Sequence, residues 1–394
     1  MSLQHSDDRL AEFNTPAAVI VGAGAVAQLG AQIQRLRCAR VLIVADPFLV
    51  KSGLVSSLTK TLRDDALFVT VWDGVQPDPT DVNVRAVVAE LAEHACDVIV
   101  VVGGGSALDT AKAAAVLITN GEPLSAMEGA GKVSRPGLPV IAIPTTAGTG
   151  SEVTKVAVIT DTERDVKMLL LDPHVLPTVA LVDFTLTLSM PRALTAHVGI
   201  DTLTHGIEAY VSRRATPLSD PLALRCIQLS AENLEAACDD PANRAARANM
   251  MLAATLGGMA FTNSSVALVH AMSRPIGALF HVPHGLSNAV LLPTVVRYSL
   301  AGAPERYADV ARAMGCATAS DSTASAGAKL LGRLEALNDN LNVPRLRDCV
   351  GVPRDPFYSA LTRMAGDALG SGSASHNPIV PDVEQIEALY QEAY

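Results

Sequence analysis

The amino-acid order predicts an α/β N-terminal domain on a doubly wound, largely parallel sheet over residues 1–190, followed by an all-α domain over residues 191–394. Three observations lead there. At 394 residues the chain exceeds what one compact core accommodates. Up to about residue 190, short β-branched apolar runs alternate with helical stretches, which is the rhythm of βαβ units. Beyond Pro191 the rhythm becomes Ala-, Leu- and Met-rich segments at helical spacing.

In chain order the predicted strands are AAVIVG, ARVLIVAD, ALFVTVWDG, CDVIVVVGGG, LPVIAIPTT and TVALVD, each ending in residues that favour a turn. Ligands of such sheets bind where strand carboxyl ends meet helix N-termini. The helical half contains LALRCIQLSAENLEAA and ARANMMLAATLGGMA, punctuated by the ATPLSD and DDPAN loops. GSGSAS at 370–375 reads as a loop before the last helix, and no internal repeat is visible.

Composition narrows the function classes. Hydrophobic residues make up 49% and charged residues only 18%, the profile of a folded globular chain. A formal charge of −10 disfavours nucleic acid and acidic membrane surfaces, so a small-molecule partner is expected. MSLQHSDDRL lacks the features of a secretory signal and no apolar run spans a bilayer, hence a cytoplasmic location is expected. The six cysteines form no CxxC pair and read as reduced packing residues.

The most informative side chains are Asp201 and His205 in GIDTLTHGIEAY, with His270 and His284 in VHAMSRPIGALFHVPHG. Asp201 and His205 are spaced i, i+4, so on a helix they share one face. His270 fits a helix and His284 the bend after it, beside Pro283 and Gly285. One carboxylate with three imidazoles suits Fe2+ or Zn2+ rather than the all-oxygen cations. The alternative on spacing alone is a set of ordinary helix-surface and core-edge residues.

Gly103, Gly104, Gly105 and Ser106 fall between a strand and a helix, where free amides and the helix dipole suit a pyrophosphate. The spacing is not GxGxxG, and a simple tight turn is the alternative. PTTAGTGSEVT adds the hydroxyls of Thr145, Thr146 and Thr149 at the next strand end. Asp46, closing RVLIVAD, stands where an acid accepts from ribose hydroxyls and repels a 2′-phosphate, which favours NAD over NADP. A helix N-cap before Pro47 is its other reading.

GGGSALDTAK, PTTAGTGSEVT, VDFTLTLSMPRALTAHVGIDTLTHGIEAYVS and VHAMSRPIGALFHVPHGLSNAVLLP, in that order, resemble the iron-containing (group III) alcohol dehydrogenase family nearly end to end. The resemblance implies a dehydroquinate synthase-like fold, with a dinucleotide-binding domain, a helical domain and a metal between them held by Asp201, His205, His270 and His284. It also implies an NAD-linked oxidoreductase of small alcohols and aldehydes. A homodimer is expected only as the default among soluble homo-oligomers. NADP is the alternative cofactor and Zn2+ the alternative metal. By the same resemblance Gly104, Gly105 and Ser106 bind the pyrophosphate, Asp109 lies near the nicotinamide, and Thr145, Thr146 and Thr149 line the nucleotide. Lys167 reaches a ribose, Leu186 and Leu188 flank the adenine, and Phe261 shapes the substrate pocket.

Two departures from the family matter. Four residues after His270, where many members carry another histidine, stands Arg274, which cannot relay protons because it stays charged. His281 and His197 are the other candidates for that task. Arg274 is instead suited to an anionic group on the substrate, or to pairing with a nearby acid. In HNPIVP the family often has a basic residue where this chain has Ile379, with His376 as a candidate to compensate. The competing readings are a metal-independent reductase of the maleylacetate reductase type and a catalytically idle nucleotide-binding protein.

Overall fold

The computed structural model describes residues 10–394, so most of the N-terminal stretch examined for a secretory signal lies outside the described residues. Two compact units result, Asn14–Leu188 and Ser189–Tyr394, with residues 10–13 grouped with the second.

In the α/β unit, β1 (Ala18–Val21), β2 (Arg40–Ala45), β3 (Phe68–Trp72), β4 (Val98–Gly103), β6 (Val140–Pro144) and β9 (Val179–Val182) form one sheet in the order β1-β9-β6-β4-β2-β3. Every pairing is parallel. These are the six runs expected from sequence. Alternate residues feed two cores: Leu42, Val44, Ile99 and Val101 point to one face, and Val41, Ile43, Val98 and Val100 to the other. Burial on both faces explains why the runs are continuously apolar.

Helices α1 (Leu29–Arg35), α2 (Pro47–Lys51), α3 (Leu54–Asp64), α4 (Asp81–Glu93) and α5 (Gly105–Asn120) connect the first strands. Strand order reverses between β2 and β4, which places the switch point of the sheet at Asp46 and Gly103–Gly105. A smaller sheet in the order β5-β8-β7 joins β5 (Gly129–Ala130) to the antiparallel pair β7 (Val156–Asp161) and β8 (Val166–Leu171), and the strand reading from sequence omitted it.

The second unit contains α6 (Arg192–Val211), α7 (Asp220–Asp239), α8 (Arg244–Asn263), α9 (Leu268–Phe280), α10 (His284–Ser299), α11 (Pro304–Ala313), α12 (Thr323–Asn340), α13 (Arg354–Gly370) and α14 (Val383–Ala393). Helix α6 is buried without interruption from Gly199 to Val211, so it is the central helix and its polar residues need internal partners. Its start is fastened by buried Arg247, which donates to Thr195 Oγ1 at 2.8 Å and to the Met190 carbonyl at 3.2 Å. Among the described residues no single helix is long and apolar enough to cross a membrane.

Candidate metal centre and nucleotide loops

Three helices of the second unit supply the four candidate donors. Asp201 and His205 lie one turn apart on α6, His270 on the first turn of α9, and His284 opens α10 after Pro283. The bend before it is made by His281, which caps α9 in the left-handed region at φ 54°. Close approach of α10 to α6 depends on Gly285, where a Cβ would stand 2.6 Å from the His197 carbonyl oxygen. The glycine following His284 therefore places that histidine.

His205 Nε2 and His270 Nε2 are 3.0 Å apart. Asp201 Oδ1 is 3.4 Å from His270 Nε2 and 3.8 Å from both His205 Nε2 and His284 Nε2. Ligand atoms about 2.1 Å from a tetrahedral ion are separated by about 3.4 Å; Asp201, His270 and His284 each bring a ligand atom within 4.8 Å of the others, with His205 Nε2 beside His270 Nε2. Donor chemistry agrees: one oxygen and three imidazole nitrogens suit Fe2+ or Zn2+. Three donors are buried while the His284 side chain is 47% exposed, which leaves one open edge.

The surroundings favour positive charge. Glu208, the next residue on the Asp201 face of α6, sets its Oε2 2.6 Å from His270 Nδ1 and accepts the Val269 backbone N–H on Oε1 at 2.6 Å. A carboxylate on Nδ1 keeps the proton there and turns the Nε2 lone pair toward Asp201. Burial alone would make the His270 ring less basic, yet Glu208 and Asp201 push its pKa up to about 9. Burial would likewise raise the Asp201 carboxyl, but His205, His284 and His270 hold it far below the usual carboxylate range. Two buried carboxylates against His270 favour positive charge at this point, whether a proton on the ring or a bound cation.

Phe261 stacks on His205 with centroids 4.5 Å apart, so it orients that ring. Asn288, fully buried one turn after His284, donates from Nδ2 to Asp201 Oδ1 at 2.7 Å. Neither Glu208 nor Asn288 was singled out from sequence. Both lie at helical spacing from a candidate donor, and that signal could have found them.

Arg274 lies one turn after His270 on α9, half-buried, and donates to Ser373 Oγ at 3.2 Å. Among the described residues no carboxylate forms an ion pair with it, although Glu208 acts on it through space and burial lowers its pKa. His281 is exposed, and no side-chain hydrogen bond or ion pair joins it to the four donors. His197 is half-buried, and burial lowers its pKa. His376 meets Ser265 Oγ at 2.8 Å.

In the α/β unit the two polar loops lie against each other. A Cβ on Gly104 would come within 3.3 Å of Thr146 Oγ1, and one on Gly105 within 3.0 Å of Thr149 Cγ2. Gly104 is the N-cap of α5 without a side-chain cap, so the first-turn amides beside Ser106 remain available to an anion. Thr145 is buried, with its N–H bonded to the Gly103 carbonyl at 3.0 Å.

Asp46 caps α2 through Oδ1, which accepts the Leu49 N–H at 2.9 Å, while Oδ2 faces Gly103. Both sequence readings of this residue are therefore compatible. Asp109 accepts Ser151 Oγ–H at 2.7 Å and the Val158 N–H at 2.9 Å. Lys167 pairs with Asp78. Leu186 lies in the 3-10 turn Phe184–Thr187 and packs on the sheet core, with half-buried Leu188 directly after it.

Comparison with known proteins agrees with this arrangement. The family model for iron-containing alcohol dehydrogenase matches residues 16–184, and that for the Fe-containing alcohol dehydrogenase family, C-terminal, matches residues 195–394. The chain is 38% identical to 1,3-propanediol dehydrogenase of Klebsiella pneumoniae, covering 98% of this chain and 99% of that one. It is 36% identical to NAD-dependent methanol dehydrogenase of Bacillus methanolicus, covering 98% and 100%. Sulfoacetaldehyde reductase from Bifidobacterium kashiwanohense, solved in complex with NAD+, superposes with a TM-score of 0.87 at 26% identity, covering 98% and 99%. Matches over both units and identities above one third along almost the whole length establish that the chain belongs to the iron-containing alcohol dehydrogenase family.

Proposed function

We propose that the chain interconverts a short alcohol and its aldehyde by exchanging hydride with NAD(H), using one iron-type divalent ion held by Asp201, His205, His270 and His284. Support comes from Asp201, His270 and His284, which offer ligand atoms within 4.8 Å of one another, and from His205 Nε2, 3.0 Å from His270 Nε2. When bound, such an ion supplies Lewis-acid polarisation of a hydroxyl or carbonyl oxygen. The protein supplies orientation. Glu208 holds His270, Phe261 holds His205, and the exposed side of His284 is where substrate approaches. Gly104, Gly105 and Ser106 hold the pyrophosphate, Thr145, Thr146 and Thr149 line the nucleotide, and Asp46 Oδ2 accepts from a ribose hydroxyl. Lys167, Leu186 and Leu188 flank the nucleoside end. His281, exposed after α9, exchanges the proton with solvent.

The substrate carries an anionic group held by Arg274. Support comes from a half-buried guanidinium that has Ser373 Oγ as hydrogen-bond partner and no ion-paired carboxylate, so donors remain for a carboxylate or sulfonate. The likeness to a sulfoacetaldehyde reductase points the same way. Steady-state kinetics of Arg274→Ala test it: kcat/KM falls about 10- to 100-fold on an anionic aldehyde, the loss of a charge-assisted pair, and little on a neutral one. Equal losses on both would remove the anion from the account.

A further inference from the structure

Asn288 Nδ2 lies within hydrogen-bond distance of candidate donors on three different helices: Asp201 Oδ1 of α6 at 2.7 Å, His270 Nε2 of α9 at 3.2 Å and His284 Nε2 of α10 at 3.2 Å. The carboxamide is fully buried, and its Oδ1 has no hydrogen-bond partner among the described residues. Turning the amide over would not help, because Oδ1 would then stand 2.7 Å from a carboxylate oxygen of Asp201, two acceptors face to face. The fold thus tolerates an unsatisfied buried carbonyl in order to aim an N–H at Asp201, a choice that packing alone does not explain.

We infer that Asn288 is a positioning residue that fixes the Asp201 carboxylate beside His270 and His284 before the cation arrives. Asp201 Oδ1 has two lone pairs, so it accepts the Asn288 N–H on one and keeps the other for a cation. Each imidazole nitrogen has a single lone pair, so the 3.2 Å contacts to His270 and His284 are neighbourly rather than permanent. The lasting contribution is the bond to Asp201, which holds a carboxylate that would otherwise rotate. The inference rests on the proposed metal site.

The test is metal affinity of Asn288→Leu and Asn288→Ala, measured by competition with a chromophoric chelator using Co2+, with the cobalt d–d spectrum recorded alongside. The dissociation constant should rise about 10- to 100-fold, as for other residues that orient ligands, with a changed spectrum. An unchanged constant overturns it, and so does a lower one, which would show the amide competing with the cation. Should both variants fail to fold, wild-type crystals grown with and without Zn2+ decide. Persistence of the Asn288–Asp201 hydrogen bond in both supports the inference, and its loss on loading overturns it. A wild-type protein that binds no metal would instead refute the metal site itself.

Discussion

Glu208 Oε2 stands 2.6 Å from His270 Nδ1, and the other oxygen of the same carboxylate accepts the Val269 N–H, so His270 cannot swing without releasing α9 from α6. Replacing Glu208 with Leu leaves Nδ1 without its acceptor and frees the ring. Metal affinity should fall about 10- to 100-fold, with Glu208→Gln retaining more because its amide oxygen still accepts. Chelator competition on the purified variants measures this; wild-type affinity in the Leu variant would show that His270 does not need its partner.

Gly285 makes a second, steric prediction. A methyl group there meets the His197 carbonyl at 2.6 Å, which forces α10 away from α6. Gly285→Ala should cost roughly 1–3 kcal/mol of stability and weaken metal binding by displacing His284. Thermal melts with and without added metal report both effects. A variant as stable as the wild type that loads metal normally would mean α10 has slack at this contact.

The glycine loop separates cofactor from metal. A Cβ on Gly105 is already tight against Thr149 Cγ2 at 3.0 Å, and Gly105→Val adds two more carbons in the same place. If the clash displaces the loop at a cost to binding of roughly 1–3 kcal/mol, NAD affinity falls about 5- to 150-fold. Fluorescence titration with NADH should show that loss while the bound-metal content stays at the wild-type value. Unaltered NADH binding would move the pyrophosphate away from this loop.

Thiol chemistry supplies a pH prediction. Burial pushes Cys226 up to about 12 and Cys96, Cys238 and Cys349 up to about 11, so all four remain protonated at neutral pH. Because the folded values lie above the ordinary value of about 9, their stabilising contribution is full below that pH and is lost as pH rises through 11 to 12. Mass spectrometry after alkylation at pH 8 should find these four unlabelled in the native protein and all six cysteines labelled after denaturation. Rapid native labelling of Cys226 would contradict its burial.

Much of this architecture was legible in the residues. The six strands of the main sheet appear as apolar runs because burial on both faces leaves no polar alternation to confuse them. The hairpin of β7 and β8 was missed: VAVITD and VKMLLL each carry a run of four apolar residues, which periodicity alone does not separate from a buried helix segment. At the metal centre the i, i+4 rule found Asp201 and His205, and one more turn would have reached Glu208. Lys112 was unreadable: within GGGSALDTAK it looks like an ordinary helix charge. It is fully buried, donating to Ser151 Oγ at 2.7 Å and Thr154 Oγ1 at 3.1 Å, and only the tertiary fold brings that second loop to it.

The central claim is tested most directly by metal stoichiometry and turnover measured on the same sample. Protein loaded with Fe2+ or Zn2+ should contain one ion per chain and reduce NAD with a short alcohol, followed by absorbance of the reduced nicotinamide. Chelation should abolish that rate, readdition should restore it, and Asp201→Asn with His270→Ala should bind no metal. Full turnover by metal-free protein would contradict the account.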